Sequence, residues 1–397
     1  MTDLLSLPPE LLTRILEEVP GKDLLNVCTS CKQLRDIVYV DSVWQRKCEE
    51  EYKFKSIDGW NMSYRDLYNK VLRQYGDIVG LWWRDFTYYG GLLQVKYDSG
   101  CIKGIELLAP VSPYVDRPLR RKTLFTISLS SSGGLKVVSV HNASCSERPC
   151  SVHMKDETKR KILEYEVEPE TDESVNQNVN GGQDIVLWME EELNLDGAMD
   201  MYYNCYFKRG IAYLSSRHHY RWTPLEIPKA RIDVPIQAGL FKGTYSAHGI
   251  EILSLAYNDE KTEVTATKIT GDPNIPATKV SVKADLTSPL VFTLDEQEHL
   301  RTLEEASQPH TEHPLPDSQP FKIPEDCYDR DIEDIPKTCS FRCNAKGQIS
   351  ATGYTNPSFS RGHFVVFDEN RFGMVWIELH SFSIYARVED KDINNET

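Results

Sequence analysis

Residues 5–52 read LSLPPELLTRILEEVPGKDLLNVCTSCKQLRDIVYVDSVWQRKCEEEY. Short helices follow one another here with almost no loop between them. Pro8 and Pro9 sit where a first helical turn tolerates proline, and Glu10 suits the positive end of the helix dipole. Leu11, Leu12, Ile15, Leu16 and Val19 recur at helical spacing. Pro20-Gly21 stops that helix. Asp23 is placed to cap a second turn carrying Leu24, Leu25, Val27 and Cys28. Ser30 with Gln33 three residues on has capping-box spacing ahead of Leu34, Ile37 and Val38. Asp41 or Ser42 opens a fourth helix bearing Trp44. So few residues cannot bury this many apolar side chains among themselves. The surplus calls for the rest of the chain or for a second protein.

Beyond Tyr52, Tyr64, Leu67, Tyr68, Val71, Leu72 and Tyr75 define one more amphipathic helix, with Asn61 or Ser63 as its cap. From Ile78 the texture changes to strands. Gly80 to Trp83 and Tyr88 to Leu93 are aromatic and glycine-rich, and Leu92 to Lys96, Cys101 to Leu108, Thr123 to Ser128 and Leu135 to His141 read as strands separated by turn-forming residues, which predicts antiparallel pairing in a barrel or sandwich. The polar stretch 164–183 and the proline-rich insertion 307–320 read as mobile loops. Between them, Asp184 to Asn194 returns to helix, while Tyr202 to Tyr213 has no decided pattern. Ile250 to Tyr257 and Glu263 to Ile269 form a hairpin about Asn258-Asp259. Thr278 to Leu286 and Leu290 to Leu294 add strands, and four more run to Val388. Gly239-Leu240-Phe241 with Tyr245 echoes Gly80-Leu81-Trp82 with Tyr89, as an internal duplication closing one barrel would. The expectation is an α+β chain: a helical module at 1–55, a linker helix at 56–78 and a mainly antiparallel β-barrel-like domain at 79–397.

The chain has 397 residues and a formal net charge of −15. That balance argues against nucleic acid, whose binding needs basic surface, and against an anionic membrane. No apolar run reaches spanning length, and the start lacks the layout of a secretion signal. Ten cysteines at scattered spacings fit reduced thiols in the cytoplasm and nucleus. Cys28 and Cys31 read as small buried apolar residues. No serine-hydrolase, zincin, P-loop or dinucleotide fingerprint is present.

The order Leu-Pro-x-Glu-Leu, a helix ended at Pro-Gly, Asp-Leu-Leu, Cys-x-x-Leu and a distal Trp resembles an F-box, the module that docks on the Skp adaptor of cullin-based ubiquitin ligases. The resemblance implies adaptor-binding roles for Leu7, Pro8, Leu11, Leu12, Ile15, Leu24, Leu25, Val27, Cys28, Leu34 and Trp44. Four further blocks carry a likeness to the F-box only protein 31 family: GLWWRDFTYYGGLLQV (80–95), GLFKGTYSAHGIEI (239–252), TKITGDPNIPA (267–277) and FDENRFGMVWIELHSFSIYARV (367–388). With the F-box they span nearly the whole chain. The likeness implies a non-catalytic substrate receptor of a Skp-cullin-F-box (SCF) ligase whose β-barrel-like body holds C-terminal tails. Those of cyclin D and of damaged chains ending in an amide are the substrates it suggests. Three features depart from that family. The F-box starts almost at Met1, the 307–320 insertion is short, and only part of a zinc pattern is present. The spacing of His141, Cys145, Cys150 and His153 is cramped for a tetrahedral structural zinc, which leaves zinc open but unsupported, and no cofactor is assigned.

A tail pocket must tell end-groups apart. A cation such as Lys268 complements a carboxylate, whereas Asp272 accepts from an amide NH2 and repels a free carboxylate. The two stand four residues apart on a loop constrained by Pro273 and Pro276, with Gly271 free for positive φ. In this reading Lys268 and Asp272 read the end-group, Asn274 bonds the tail backbone, and Ile275, Tyr245 and His248 wall the pocket. Turn chemistry explains the same residue types, with Lys268 a solvated strand residue. Arg217-His218-His219 with Arg221 offers a phosphate site instead, and Cys327, Cys339 and Cys343 a thiol or metal site. The alternative function is a stand-alone β-barrel ligand-binding protein or enzyme with a helical cap.

Overall fold

Proline geometry starts the first two helices. In the computed structural model Pro9 begins α1 (Pro9–Glu17), and Pro20 is the N-cap of α2 (Gly21–Val27). Asp23 therefore faces the dipole from the first turn of α2 and does not cap it. α3 (Lys32–Val38) starts without the expected capping box. The Ser30 hydroxyl donates instead to Val27 O (2.7 Å), and the Cys31 thiol accepts from Leu34 N (3.4 Å). α4 (Asp41–Tyr52) carries the buried Trp44, whose Nε1 donates to Val38 O (2.7 Å).

The structure describes residues 4–84, 88–110, 112, 114–141, 146–157, 160–167, 219–306, 314–328, 335–389 and 393. They fall into two compact units. One is Met1–Leu81 with Gln94–Ile105 and Thr123–Glu168; the other is Trp82–Leu93 with Glu106–Lys122 and Pro169–Thr397. In the first, a helical run follows α4: α5 (Tyr64–Leu67), a π-helical turn (Tyr68–Leu72) and α6 (Arg73–Tyr75). Ser63 caps it through Asp66 N (3.1 Å). Glu51 ties the run to the module, accepting from Gly21 N (2.8 Å) and from the Tyr68 hydroxyl (2.5 Å).

The strands close two barrels. The first runs in chain order through β1 (Gly80–Trp83), β2 (Leu92–Asp98), β3 (Cys101–Leu108), β4 (Arg120–Leu129), β5 (Leu135–His141), β6 (Ser146–Glu157), β7 (Arg160–Val167) and β8 (His219–Pro224). The second joins β9 (Gly239–Thr244), β10 (Ile250–Tyr257), β11 (Glu263–Lys268) and β12 (Val280–Pro289) to β15 (Phe341–Ala351), β16 (Thr355–Val366), β17 (Arg371–Trp376) and β18 (Ser381–Arg387). Its β18 returns antiparallel to β9, pairing Tyr385 with Gly243. A short sheet of β13 (Gln319–Pro320) and β14 (Thr338–Cys339) stands apart. The two glycine-led blocks at Gly80 and Gly239 thus each open a barrel of their own, and do not close a single one. Alternation fills the second barrel. Leu253, Leu255, Val264, Ala266, Phe372 and Met374 point inward, and Phe372 stacks on Tyr385 at 4.4 Å.

Other expectations change as well. Glu164 to Val167 is the end of β7, not a mobile loop; Glu164 and Glu166 disguised a strand whose other face, Leu163, Tyr165 and Val167, is buried. The Tyr165 hydroxyl bonds Leu124 O (3.1 Å) and Ser139 Oγ (2.5 Å). Residues 290–294 form no strand, because a capping box between Thr293 and Glu296 starts α7 (Leu294–His299). α8 (Leu303–Ala306) follows. Gln319, at the end of the supposed mobile insertion, is ordered by bonds to Phe292 N (2.9 Å) and Leu290 O (3.1 Å). Residues 168–183 and 307–313 of the two loops lie outside the described residues, as do Asp184 to Asn194 and Tyr202 to Tyr213.

Candidate functional site

Strand parity puts a cation inside the second barrel. Val264, Ala266 and Lys268 share the inward face of β11, and Lys268 is 0% exposed. On β10 the same face carries Glu251, Leu253 and Leu255. Lys268 Nζ lies 2.6 Å from Asp272 Oδ2 and 2.5 Å from Glu251 Oε2. It also sits 4.1 Å from the centroid of the Tyr245 ring. Lys268 is therefore no solvated strand residue. A buried ammonium survives only when paired, and this one has two carboxylates and a ring face.

The loop after β11 holds Asp272 in place. Gly271 N donates to Tyr89 O (3.1 Å) and Ala277 N to Tyr88 O (2.9 Å). Gly271 is required for close approach, not for positive φ: a Cβ there would stand 2.4 Å from the Ala277 nitrogen. Asp272 Oδ1 accepts from Asn274 N (2.6 Å) and Ile275 N (3.0 Å). His248 Nε2 stands 4.0 Å from the same oxygen. Burial alone would raise the Asp272 carboxyl; the charges of Lys268 and then His248 overcome it and bring it down to about 2. Burial would likewise lower the Lys268 ammonium, but Glu251 and Asp272 hold it above the ordinary lysine value. Asn274 is partly committed, since its Nδ2 donates to Ser350 O (2.8 Å) and ties the loop to β15.

These residues surround one cavity of about 260 Å³. Tyr245, His248, Lys268, Asp272, Asn274 and Ile275 all line it. So do the ends of β15, β17 and β18 through Gln348, Ser350, Trp376, Ser381 and Ser383. The lining comes from strand ends and turns at one mouth of the barrel. The Trp376 indole is fixed by a bond to Ser383 Oγ (3.0 Å). Gln348 Nε2 donates to the Tyr354 hydroxyl (3.1 Å), while its buried Oε1 has no partner. The C-terminal lining lies some hundred residues from the loop, and only barrel closure joins them. Glu251 did leave a signal, an acid on the face shared by Leu253 and Leu255.

Of the other sequence candidates, none that is described lines this cavity. Arg217 and His218 lie outside the described residues, as does Cys145. Cys150 is buried and His153 exposed on β6. Cys327, Cys339 and Cys343 are buried and outside any disulfide, and burial pushes the Cys339 thiol up to about 11, which disfavours the thiolate a nucleophile needs.

The helical module divides its apolar residues. Leu12, Leu24 and Trp44 are sealed inside it, at 1%, 0% and 0% exposure, and so hold its shape. Leu11 and Ile15 face outward at 45% and 43%, beside Leu4 at 49%. Leu7, Leu25, Val27, Cys28 and Leu34 are half-buried, and Pro8 is exposed. Covering one of the outward side chains would gain roughly 1 kcal/mol.

Residues 4–50 match the family described as F-box-like, and residues 222–392 match that described as Cyclin D1 binding domain. The chain is 32% identical to F-box only protein 31 of Rattus norvegicus, over 97% of this chain and 85% of the relative. It is 31% identical to F-box only protein 31 of Homo sapiens, over 97% and 83%. With F-box only protein 31-B of Xenopus laevis it shares 29% identity over 99% and 85%.

Proposed function

Because the chain belongs to the F-box only protein 31 family, we propose that it is the non-catalytic substrate-recognition subunit of an SCF-type ubiquitin ligase. The outward face of α1, with Leu11 and Ile15, meets a Skp adaptor, which joins the chain to a cullin. The mouth of the second barrel takes the C-terminal tail of a target protein. Tethering then raises the local concentration of target lysines at the ubiquitin-charged enzyme. The match over residues 222–392 supports a cyclin-D-like protein among the targets. The cytoplasm and nucleus are where such a complex would act.

One observation carries the choice of tail. The Lys268 ammonium is already balanced by Asp272 (2.6 Å) and enclosed on its other side by Glu251 (2.5 Å). A free carboxylate entering the pocket meets the Asp272 anion with no unpaired lysine or arginine among the lining residues. A terminal amide brings no charge, and its NH2 donates to a carboxylate or to the unpartnered Gln348 Oε1. Uncharged, amide-type ends are therefore the preferred ligands.

The test is a titration of the full chain, bound to its Skp adaptor, with two peptides identical except for an amide or a carboxylate at the end. The amide should bind at least roughly tenfold more tightly, a difference of about 1.4 kcal/mol. Equal binding, or preference for the carboxylate, would remove this assignment.

A further inference from the structure

Two carboxylates share one ammonium beneath the pocket. The side chains of Glu251 and Asp272 are 4% and 6% exposed, and that of Lys268 is 0% exposed. With both acids ionised the floor would hold a surplus negative charge out of reach of water, which costs several kcal/mol. One acid must carry a proton, and the donors around each decide which. Asp272 receives two backbone N–H bonds at 2.6 and 3.0 Å in addition to the Lys268 bond. Among the described residues the Glu251 carboxyl receives no backbone donor and meets only Lys268 Nζ (2.5 Å) and the Asp272 carboxyl. Donors stabilise the charged form, so Asp272 keeps the charge and Glu251 the proton.

The barrel is built to hold that arrangement. Gly243 of β9 pairs with Glu251 on one side and with Tyr385 of β18 on the other. A Cβ at Gly243 would stand 2.0 Å from the Tyr385 ring. The missing side chain makes room for the Tyr385 ring on the strand next to Glu251's neighbour, near enough for the two to interact electrostatically. Burial, with the Asp272 charge acting against that of Lys268, holds the Glu251 carboxyl well above the usual carboxylate range.

We propose that Glu251 is a specificity-determining residue of the tail pocket: as a neutral acid beneath Lys268 and Asp272, it keeps the floor at zero net charge. Among these three groups Lys268 stands at plus one, Asp272 at minus one and Glu251 at zero, with the His248 imidazole, 4.0 Å from Asp272, outside the count. The inference rests on the tail reading above and extends it to a residue that does not line the pocket. When rising pH strips the Glu251 proton, the floor becomes negative and rejects carboxylate tails more strongly. The groups facing Glu251 are Lys268, Asp272, Tyr245 and Tyr385, with His248 beside Asp272. Burial holds both tyrosines neutral well past pH 9, and Lys268 and Asp272 keep their charges over that range. His248 is common to every protein compared below.

The experiment uses the full chain with its Skp adaptor and a Glu251→Gln variant, which imitates the neutral acid. An infrared difference spectrum between the two at neutral pH should show the carbonyl band of a protonated carboxyl. Carboxylate bands alone would overturn the proposal with no ligand involved. The amide-and-carboxylate peptide pair is then titrated across the pH range in which that band disappears. As the band disappears, the wild-type preference for the amide should climb roughly tenfold relative to the variant's, the His248 contribution being common to both. Identical pH profiles would overturn the specificity role. If the band is present but neither peptide binds, the tail reading falls and the specificity role with it.

Discussion

Lys268 Nζ and Asp272 Oδ2 lie 2.6 Å apart, with side chains 0% and 6% exposed. An ion pair so enclosed stabilises little as a whole, but breaking it from one side leaves a charge without a partner.

Lys268→Met is therefore expected to cost about 3–5 kcal/mol. Asp272 would be left buried as an anion, with two backbone donors and the more distant His248 to hold it. Urea unfolding of the full chain checks this. A loss below about 1 kcal/mol would mean that the pair is not enclosed as described.

Asp272→Asn should act on recognition more than on folding. An asparagine oxygen still accepts from Asn274 N and Ile275 N, so the loop keeps its shape, and Glu251 gives up its proton to keep Lys268 paired. The floor changes, since the variant loses the anion that repels a carboxylate. Tail preference should shift toward free carboxylates while the melting curve stays cooperative. Unchanged preference in the peptide pair would exclude Asp272 from end-group reading.

Acid should weaken the same element. The folded Asp272 carboxyl is held at about 2, below its ordinary value of 3.8. A depressed acid contributes stability above the unfolded value and loses it as pH falls toward the folded one. Wild type should lose about 2 kcal/mol more than Asp272→Asn between pH 4 and pH 2. Parallel acid unfolding of the two proteins would contradict the assigned charge.

On the helical module, exposure separates two kinds of leucine. Leu11→Ala with Ile15→Ala removes outward side chains and should leave the melting temperature nearly unchanged, while the Skp adaptor no longer co-purifies. Leu12→Ala opens a cavity in the module and should cost about 2–5 kcal/mol. Retention of the adaptor by the double variant would move the docking surface elsewhere.

Much of this was legible in the sequence. Helical spacing and proline positions fixed α1 to α4 and the apolar surplus, because those signals are local. The pocket's loop was legible for the same reason, with Pro273 and Pro276 bounding it. The far wall was not, since Gln348, Trp376 and Ser383 reach the loop only through pairing between distant strands. Lys268 was legible in part. Its parity with Val264 and Ala266 places it inside, but a lysine reads as solvated until its carboxylate partners are known. Glu251 and β7 were hidden alike, by acids among apolar residues. The number of barrels was beyond local patterns, because closure depends on which ends meet.

The most direct test of the whole account is the rate of ubiquitin transfer, in a complex rebuilt from this chain, its Skp adaptor and cullin, to a reporter protein ending in an amide. The account predicts transfer that stops with Leu11→Ala and Ile15→Ala, and that an excess of free amidated peptide suppresses. Transfer undiminished by both would contradict it.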